Sequence, residues 1–142
     1  MVDQNCAYCV EGDLVAKFGI KICELETSKV YLFKEQSHPG RCIVAHKKHV
    51  GDMNELTAEE RAAYFEDVAR VARAIMAAFH PDKVNYGAYG DTGHHLHFHL
   101  CPKYKDEFEW GGVFLMNPDK KYLTDAEYAE MIRSEERRVG KE

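Results

Sequence analysis

The sequence of 142 residues lacks any apolar run near the ~20 residues that cross a bilayer. Its start also lacks the continuous apolar centre of a signal peptide. We therefore expect a cytoplasmic protein that makes no contact with membranes. There is no excess of positive charge, because the formal net charge is −5. This balance argues against nucleic-acid binding, which needs a basic surface, but is compatible with a small anionic ligand.

The sequence also lacks internal repeats, low-complexity stretches and any linker rich in proline, glycine and serine. Its length matches the roughly 100 to 150 residues of a typical domain. We expect one domain over residues 1–133, which includes the N-terminal segment 1–12. Residues 134–142 are almost entirely polar and cannot bury themselves, so we expect a disordered tail or a solvated helix end.

Short runs rich in β-formers dominate the first half of the chain and are separated by turn residues such as Gly19 and the Thr27-Ser28 pair. Because the connections are short, we expect these runs to form an antiparallel meander. The predicted strands cover residues 14–18, 20–25, 30–34 and 42–46.

The second half begins with a predicted helix, which Thr57 and Glu60 open as a capping box and which ends near Phe79. Two strands follow, at residues 83–89 and 95–101, and the turn at 90–93 joins them into a hairpin. A second capping box, at Thr124 and Glu127, starts a C-terminal helix. This order predicts an α+β fold, in which an antiparallel sheet carries one long helix and a C-terminal helix on it.

Four of the eight histidines lie at positions 94–99. On a strand, His95, His97 and His99 share one face, and the apolar residues between them share the other. The outer two of the three would lie about 13 Å apart, too far to bind one metal ion together. Three interpretations remain: exposed polar histidines, a metal-binding pair, or a site that uses their acid–base and nucleophilic chemistry.

The run His-Leu-His-Phe-His-Leu-Cys at residues 95–101 resembles the signature of the histidine-triad family. A second segment, residues 39–49, resembles the Pro-Gly, apolar strand and Lys-x-His portion of the same family. Asn85 and the turn of Gly90, Asp91 and Thr92 fall where family members contact phosphate. The similarity spans residues 6–105.

This resemblance implies that His97 attacks the α-phosphorus of a nucleotide and forms a nucleotidyl-histidine intermediate that water then hydrolyses. It names His99 and His95 as the other catalytic histidines and a nucleotide as the small-molecule partner, and it implies a homodimer. The candidate substrate-binding residues are Asn85, Thr92, Asp91 and Gly90, together with the nearby cation Arg41.

An alternative function is a nucleotide-binding module with little or no turnover. Asp91 stands where many relatives have glutamine, and a carboxylate there repels a polyphosphate unless it is neutralised.

Five cysteines include only one C-x-x-C pair, Cys6 and Cys9. That pair suits half of a tetrahedral zinc site and equally a redox-active thiol pair. The resemblance implies that His49 and His95 complete a structural zinc site, which would prevent His95 from donating a proton. The single Trp110 lies in segment 108–114, a candidate flap over the site.

Overall fold

A computed structural model describes residues 4–140. Five strands form one antiparallel sheet: β1 (Gly19–Glu24), β2 (Ser28–Phe33), β3 (Cys42–His46), β4 (Lys83–Gly87) and β5 (His97–Lys103). The helices are α1 (Ala7–Val10), α2 (Asp13–Ala16), α3 (Ala58–Phe79) and α4 (Asp125–Gly140), and a short 3₁₀ turn covers Met53–Glu55. The predicted α+β class, with a long helix and a C-terminal helix on an antiparallel sheet, is confirmed.

The strand order is β1-β2-β3-β5-β4, so the histidine strand β5 lies between two neighbours. On one side Ala45 of β3 is opposite His97, and on the other Gly87 of β4 is opposite His99. Backbone hydrogen bonds therefore hold β5 along both edges. Strand β4 is left at the edge of the sheet.

Alternating side chains give the sheet two different faces. On β2, Val30 and Leu32 join the main core under α3, whereas Tyr31 and Phe33 join a smaller cluster on the opposite face. The smaller cluster is completed by the N-terminal helices, through Tyr8 and other apolar residues. Because the register aligns the histidines of β5 with this second face, the N-terminal segment covers the histidines.

Both predicted capping boxes are present. The hydroxyl of Thr57 accepts a hydrogen bond from the backbone N–H of Glu60 at 3.1 Å, and the Glu60 carboxylate accepts one from the Thr57 N–H at 2.8 Å. Thr124 and Glu127 make the same reciprocal pair ahead of α4. These bonds satisfy N–H groups that the first helical turn leaves without partners.

Two predicted elements differ from the structure. Residues 14–18 are not a strand: α2 occupies Asp13–Ala16, because Val15 is buried in the second cluster by a turn of helix. The connection between β4 and β5 is longer than the predicted four-residue turn and covers residues 88–96. Residues 95 and 96 are not paired with β4, because the backbone of Leu96 forms its hydrogen bonds with His46 and Val50 instead.

The chain beyond Ser134 also differs from the prediction. Helix α4 continues to Gly140 and packs on α3 and β1, with Glu135 and Val139 fully buried. Arg70 of α3 donates a hydrogen bond to the carbonyl of Val139 at 3.1 Å. A count of apolar residues misses this packing, because it cannot foresee that a carboxyl group is enclosed. No helix within residues 4–140 is long and apolar enough to cross a membrane.

The buried Glu135 makes the stability of the fold depend on pH. One carboxyl oxygen lies 3.8 Å from the thiol of Cys42, and the other has no partner in the described part of the chain. Burial raises the pKa of Glu135 to about 8, against smaller lowering effects of Cys42 and Arg138. The folded protein therefore keeps a proton that the unfolded chain releases near its ordinary pKa of 4.5, so the free energy of unfolding falls as pH rises between these values.

We expect Glu135→Gln, which cannot ionise, to remove this fall and to stabilise the protein by roughly 1–3 kcal/mol near pH 9 relative to the wild type. Urea unfolding from about pH 5 to about pH 9 measures the effect. The control is Glu136→Gln, at the exposed neighbouring position, which should keep the wild-type dependence of the free energy of unfolding on pH. An unchanged slope in Glu135→Gln would contradict the assignment.

Candidate active site

The three predicted histidines lie together, buried on the second face of the sheet. His95, His97 and His99 are 2%, 8% and 3% exposed. The rings of His97 and His99 meet edge to face, with centroids 5.4 Å apart, whereas His95 precedes β5 and turns toward the N-terminal segment. The Tyr8 ring lies 5.1 Å from that of His97 and 5.4 Å from that of His95. The three rings thus form a row with Tyr8 beside two of them.

The tautomer of His97 follows from one backbone contact. Its Nδ1 lies 2.7 Å from the carbonyl oxygen of His95, which can only accept, so Nδ1 carries the hydrogen. Burial lowers the pKa of His97, outweighing the opposite effect of this hydrogen bond. The ring is therefore neutral at pH 7 and has its lone pair on Nε2. Within residues 4–140, no group forms a hydrogen bond to that nitrogen, so it is available as a nucleophile.

His95 has the opposite arrangement. Its Nε2 donates to the carbonyl of His46 at 2.6 Å, which leaves the lone pair on Nδ1. Burial lowers the pKa of His95 to about 4, so this lone pair is free at neutral pH. A carbonyl acceptor on the far ring nitrogen is typical of histidines that bind metals.

The Nδ1 of His95 faces a cluster of three other ligand atoms. It lies 3.3 Å from Sγ of Cys6, 3.5 Å from Sγ of Cys9 and 3.1 Å from Nδ1 of His49. All four atoms lie within 4.8 Å of one another. A tetrahedral zinc ion, with bonds of ~2.0 Å to nitrogen and ~2.3 Å to sulfur, separates its ligand atoms by roughly 3.3–3.8 Å. The structure thus brings the four predicted ligands together in an arrangement that one metal ion could occupy with little adjustment.

Comparison with known proteins identifies the family of this chain. The family model described as HIT domain matches residues 19–106 of the sequence. The chain belongs to the HIT family. It is 29% identical over 123 residues to protein hit of Bacillus subtilis, covering 82% of this chain and 83% of that one. It is 28% identical over 116 residues to adenosine 5'-monophosphoramidase hnt1 of Schizosaccharomyces pombe, covering 75% and 80% of the two chains.

Solved HIT structures share the fold. A histidine triad protein from Marinobacter aquaeolei superposes with a TM-score of 0.83 at 19% identity, covering 92% of this chain and 96% of that one. A zinc-bound histidine triad family protein from Mycobacterium smegmatis superposes with a TM-score of 0.68 at 22% identity, covering 96% and 94%. At these identities the likeness shows the fold alone.

In this HIT domain, Arg41 lies behind the triad and not at its surface. The side chain is fully buried, and its Nη2 lies 3.0 Å from Nδ1 of His99. Burial lowers the pKa of His99 to about 2, and the positive charge of Arg41 acts in the same direction. Arg41 was expected to bind substrate, but its side chain is enclosed and its guanidinium contacts His99 instead of reaching the surface.

The predicted phosphate-contacting residues occupy two places. Gly90 lines a cavity of 140 Å³ together with His95 and His97, and Asp91 and Thr92 follow it, exposed in the same loop. Asn85 is half-buried on β4 opposite Cys101, on the sheet face that carries His99. It lines a second cavity of 270 Å³ with Trp110.

The candidate flap is anchored by Lys103, in a role that the sequence did not indicate. Lys103 is buried, and its Nζ donates to the carbonyls of Glu109 and Gly112 at 2.6 and 2.7 Å. Segment 108–114 is thereby held beside the triad, where the ring of Phe114 lies 6.2 Å from that of His99.

Tyr8 was also missed, although it stands inside the C-x-x-C motif. The spacing of the two cysteines indicates a metal site, but it carries no sign that the residue between them packs on His97.

Proposed function

We propose that this HIT domain is a nucleotide hydrolase or nucleotidyl transferase, which attacks the α-phosphorus of a nucleoside polyphosphate or phosphoramidate. The observation that carries the proposal is the unpaired Nε2 of the neutral His97, held by the hydrogen bond from Nδ1 to the His95 carbonyl. The name of the fission-yeast relative, a monophosphoramidase, supports hydrolysis of a phosphorus–nitrogen bond.

In the first step, the Nε2 lone pair of His97 forms a bond to phosphorus while the bond from phosphorus to the leaving group breaks. The His97 ring becomes positively charged as this bond forms, and the carbonyl of His95 stabilises that charge through the Nδ1–H. In the second step, water attacks the same phosphorus, which releases a nucleoside monophosphate and restores His97. The leaving group takes its proton from a source other than His95, because the Nε2–H of that residue is engaged by His46.

Phosphoryl transfer depends mainly on donors that hold the non-bridging oxygens in place. His99 is adjacent to His97 and offers its Nε2–H, since its Nδ1 accepts from Arg41. Asn85 and Thr92 are the proposed further donors, and Gly90 and Asp91 shape the loop that approaches the phosphates. This assignment rests on the resemblance to the family. Two positions support it: Gly90 lines the cavity beside His95 and His97, and Asn85 lies on the sheet face that carries His99.

A nucleotide-binding module with little turnover is the second candidate. The exposed carboxylate of Asp91, in the loop that borders the triad cavity, favours it because it repels a bound polyphosphate. Such a module would bind nucleotide without releasing product.

We also propose that Cys6, Cys9, His49 and His95 hold a structural zinc ion. The mixed sulfur and nitrogen donor set and its compact geometry support zinc, and a solved HIT relative is zinc-bound. When bound, the ion would tie α1 to the segment before β5 and take no part in phosphoryl transfer. None of the five cysteines, all within the described residues, forms a disulfide, which fits the reducing cytoplasm.

A homodimer is the third proposal. Strand β4 forms one edge of the sheet, where its backbone can pair with a second chain. Tyr86 of β4 is 52% exposed and, with the exposed Met76 of α3, borders an apolar groove between the two elements. Two copies that meet at this edge would cover both side chains.

For the nucleophile, we expect His97→Ala to lower kcat by at least about 10³-fold on adenosine phosphoramidate or a dinucleoside polyphosphate. In the wild type, mass spectrometry after a rapid alkaline quench should find a nucleoside monophosphate on His97. His80→Asn, at the exposed end of α3, is the control and should keep full activity. Wild-type turnover in His97→Ala would contradict the mechanism, and binding without turnover in the wild type would favour the second candidate.

For the metal, we expect one zinc ion per chain by elemental analysis of the wild type. Cys9→Ser removes a ligand, so it should lose most of the zinc and lower Tm by several degrees, roughly the effect of 1–2 kcal/mol. Cys23→Ser, in β1 and outside the cluster, should retain the metal. A wild-type protein that takes up no zinc from a buffer containing it would exclude the site.

For assembly, we expect light scattering to give twice the chain mass of 16.3 kDa. Tyr86→Glu places a charge in the proposed contact and should shift the protein toward a monomer. Tyr122→Glu alters a tyrosine of similar exposure elsewhere and should leave the dimer intact. A monomeric wild type at high concentration would refute the proposal.

A further inference from the structure

The structure assigns Arg41 a role as a positioning residue: it fixes His99 as the Nε2–H tautomer, so that His99 presents a hydrogen to the anionic group beside His97. That the group is a phosphate rests on the proposed function. The tautomer itself does not, because it follows from contacts within the chain.

The direction of the hydrogen bond is decided by the chemistry of the two groups. A guanidinium has five N–H donors and no acceptor, and it stays protonated in proteins. Its Nη2 lies 3.0 Å from Nδ1 of His99, so Nδ1 must accept. A neutral imidazole has one ring hydrogen, which is therefore on Nε2.

The guanidinium is held rigidly enough to impose this choice. Its centre lies 4.2 Å from the ring centroid of Phe33 and 4.8 Å from that of Phe114, so it is enclosed by two aromatic rings. It also donates to the carbonyls of Leu115 and Met116 at 3.0 and 2.9 Å. A planar fork with several fixed acceptors has one orientation, which a flexible ammonium cannot reproduce.

The charge of Arg41 acts in the same direction. Within residues 4–140 no carboxylate forms a salt bridge with it, and Glu35 and Glu109 act on it only through their charge. The buried positive charge therefore opposes a second proton on His99. His99 consequently acts as a fixed hydrogen-bond donor and does not exchange a proton during the reaction.

Arg41 also anchors residues 115 and 116 through their carbonyls. If its role were purely structural, it would hold this segment without affecting the tautomer of His99. The two roles differ in what they change. Loss of an anchor loosens the segment after Phe114, whereas loss of the tautomer lock alters the ring nitrogens of His99. Lys103 provides a matched control, because it anchors the neighbouring carbonyls of Glu109 and Gly112 without contacting His99.

The experiment is long-range ¹H–¹⁵N correlation spectroscopy of the histidine rings in the zinc-loaded protein without substrate. We expect the wild type to show Nδ1 of His99 without a hydrogen and Nε2 with one, unchanged from about pH 5 to about pH 8. In Arg41→Gln the amide can donate or accept, so we expect mixed tautomers and a ring that titrates in this range. Arg41→Lys keeps a charged donor and should retain more of the wild-type tautomer than Arg41→Gln.

An Nδ1–H tautomer in the wild type would overturn the proposal, as would an Arg41→Gln variant with unchanged His99 signals. If Lys103→Met shifted the His99 tautomer as much as Arg41→Gln, the effect would come from the anchored segment, and the proposal would also fail. Should Arg41→Gln not fold, the tautomer of His99 in the wild-type protein still decides.

Kinetics adds a second readout. For adenosine phosphoramidate, we expect Arg41→Gln to lower kcat by roughly 10- to 100-fold and to change KM by less than about 3-fold, because the donor matters most in the transition state. If the wild-type tautomer is as expected but no substrate is turned over, the proposed function fails while the role of Arg41 in fixing His99 stands.

Discussion

The hydrogen bond from Nε2 of His95 to the carbonyl of His46 is the contact on which the rest of the site depends. It joins the segment before β5 to the end of β3 and settles which nitrogen of His95 carries the hydrogen. Nδ1 is then left to face Cys6, Cys9 and His49. The same placement directs the carbonyl of His95 toward His97, whose Nδ1–H it accepts. One backbone acceptor thus orients both the proposed metal ligand His95 and the proposed nucleophile His97.

Burial supplies the second constraint. It is the main cause of the lowered pKa in each of His95, His97 and His99, so all three rings are uncharged near neutral pH. An uncharged ring has one hydrogen to place, and each of the three has a partner that decides where: His46, His95 and Arg41, respectively. Water would allow both tautomers. Burial on this face of the sheet therefore determines which ring nitrogen of each histidine carries the hydrogen, in addition to the choice of residues.

Local sequence patterns were sufficient to predict several elements of the fold. The capping box at Thr57, the strand at Cys42–His46 and the α+β class follow from spacing and from the preferences of individual residues. Of the proposed metal ligands, Cys6 and Cys9 follow from their C-x-x-C spacing and His49 and His95 from the resemblance. The structure brings all four together.

Where long-range contacts decide, local patterns were insufficient. Val15 lies in a helix that buries it in the smaller cluster on the second face of the sheet. Glu135 is buried although its neighbours in sequence are polar. Arg41 looked like a surface cation for a substrate, since a sequence does not show that two aromatic rings enclose it.

The contact between Cys6 and His95 has a consequence for how the chain is made. The two residues are 89 positions apart, so α1 leaves the ribosome long before its partner has been synthesised. Closing so large a loop lowers the conformational entropy of the chain before the contact between the two residues can stabilise it. Tyr8, carried on the same helix, cannot reach His97 until β5 has joined the sheet. The ring of His97 is thus enclosed only at a late stage of folding, and a truncated chain that ends before β5 has neither the proposed nucleophile nor a complete set of the proposed metal ligands.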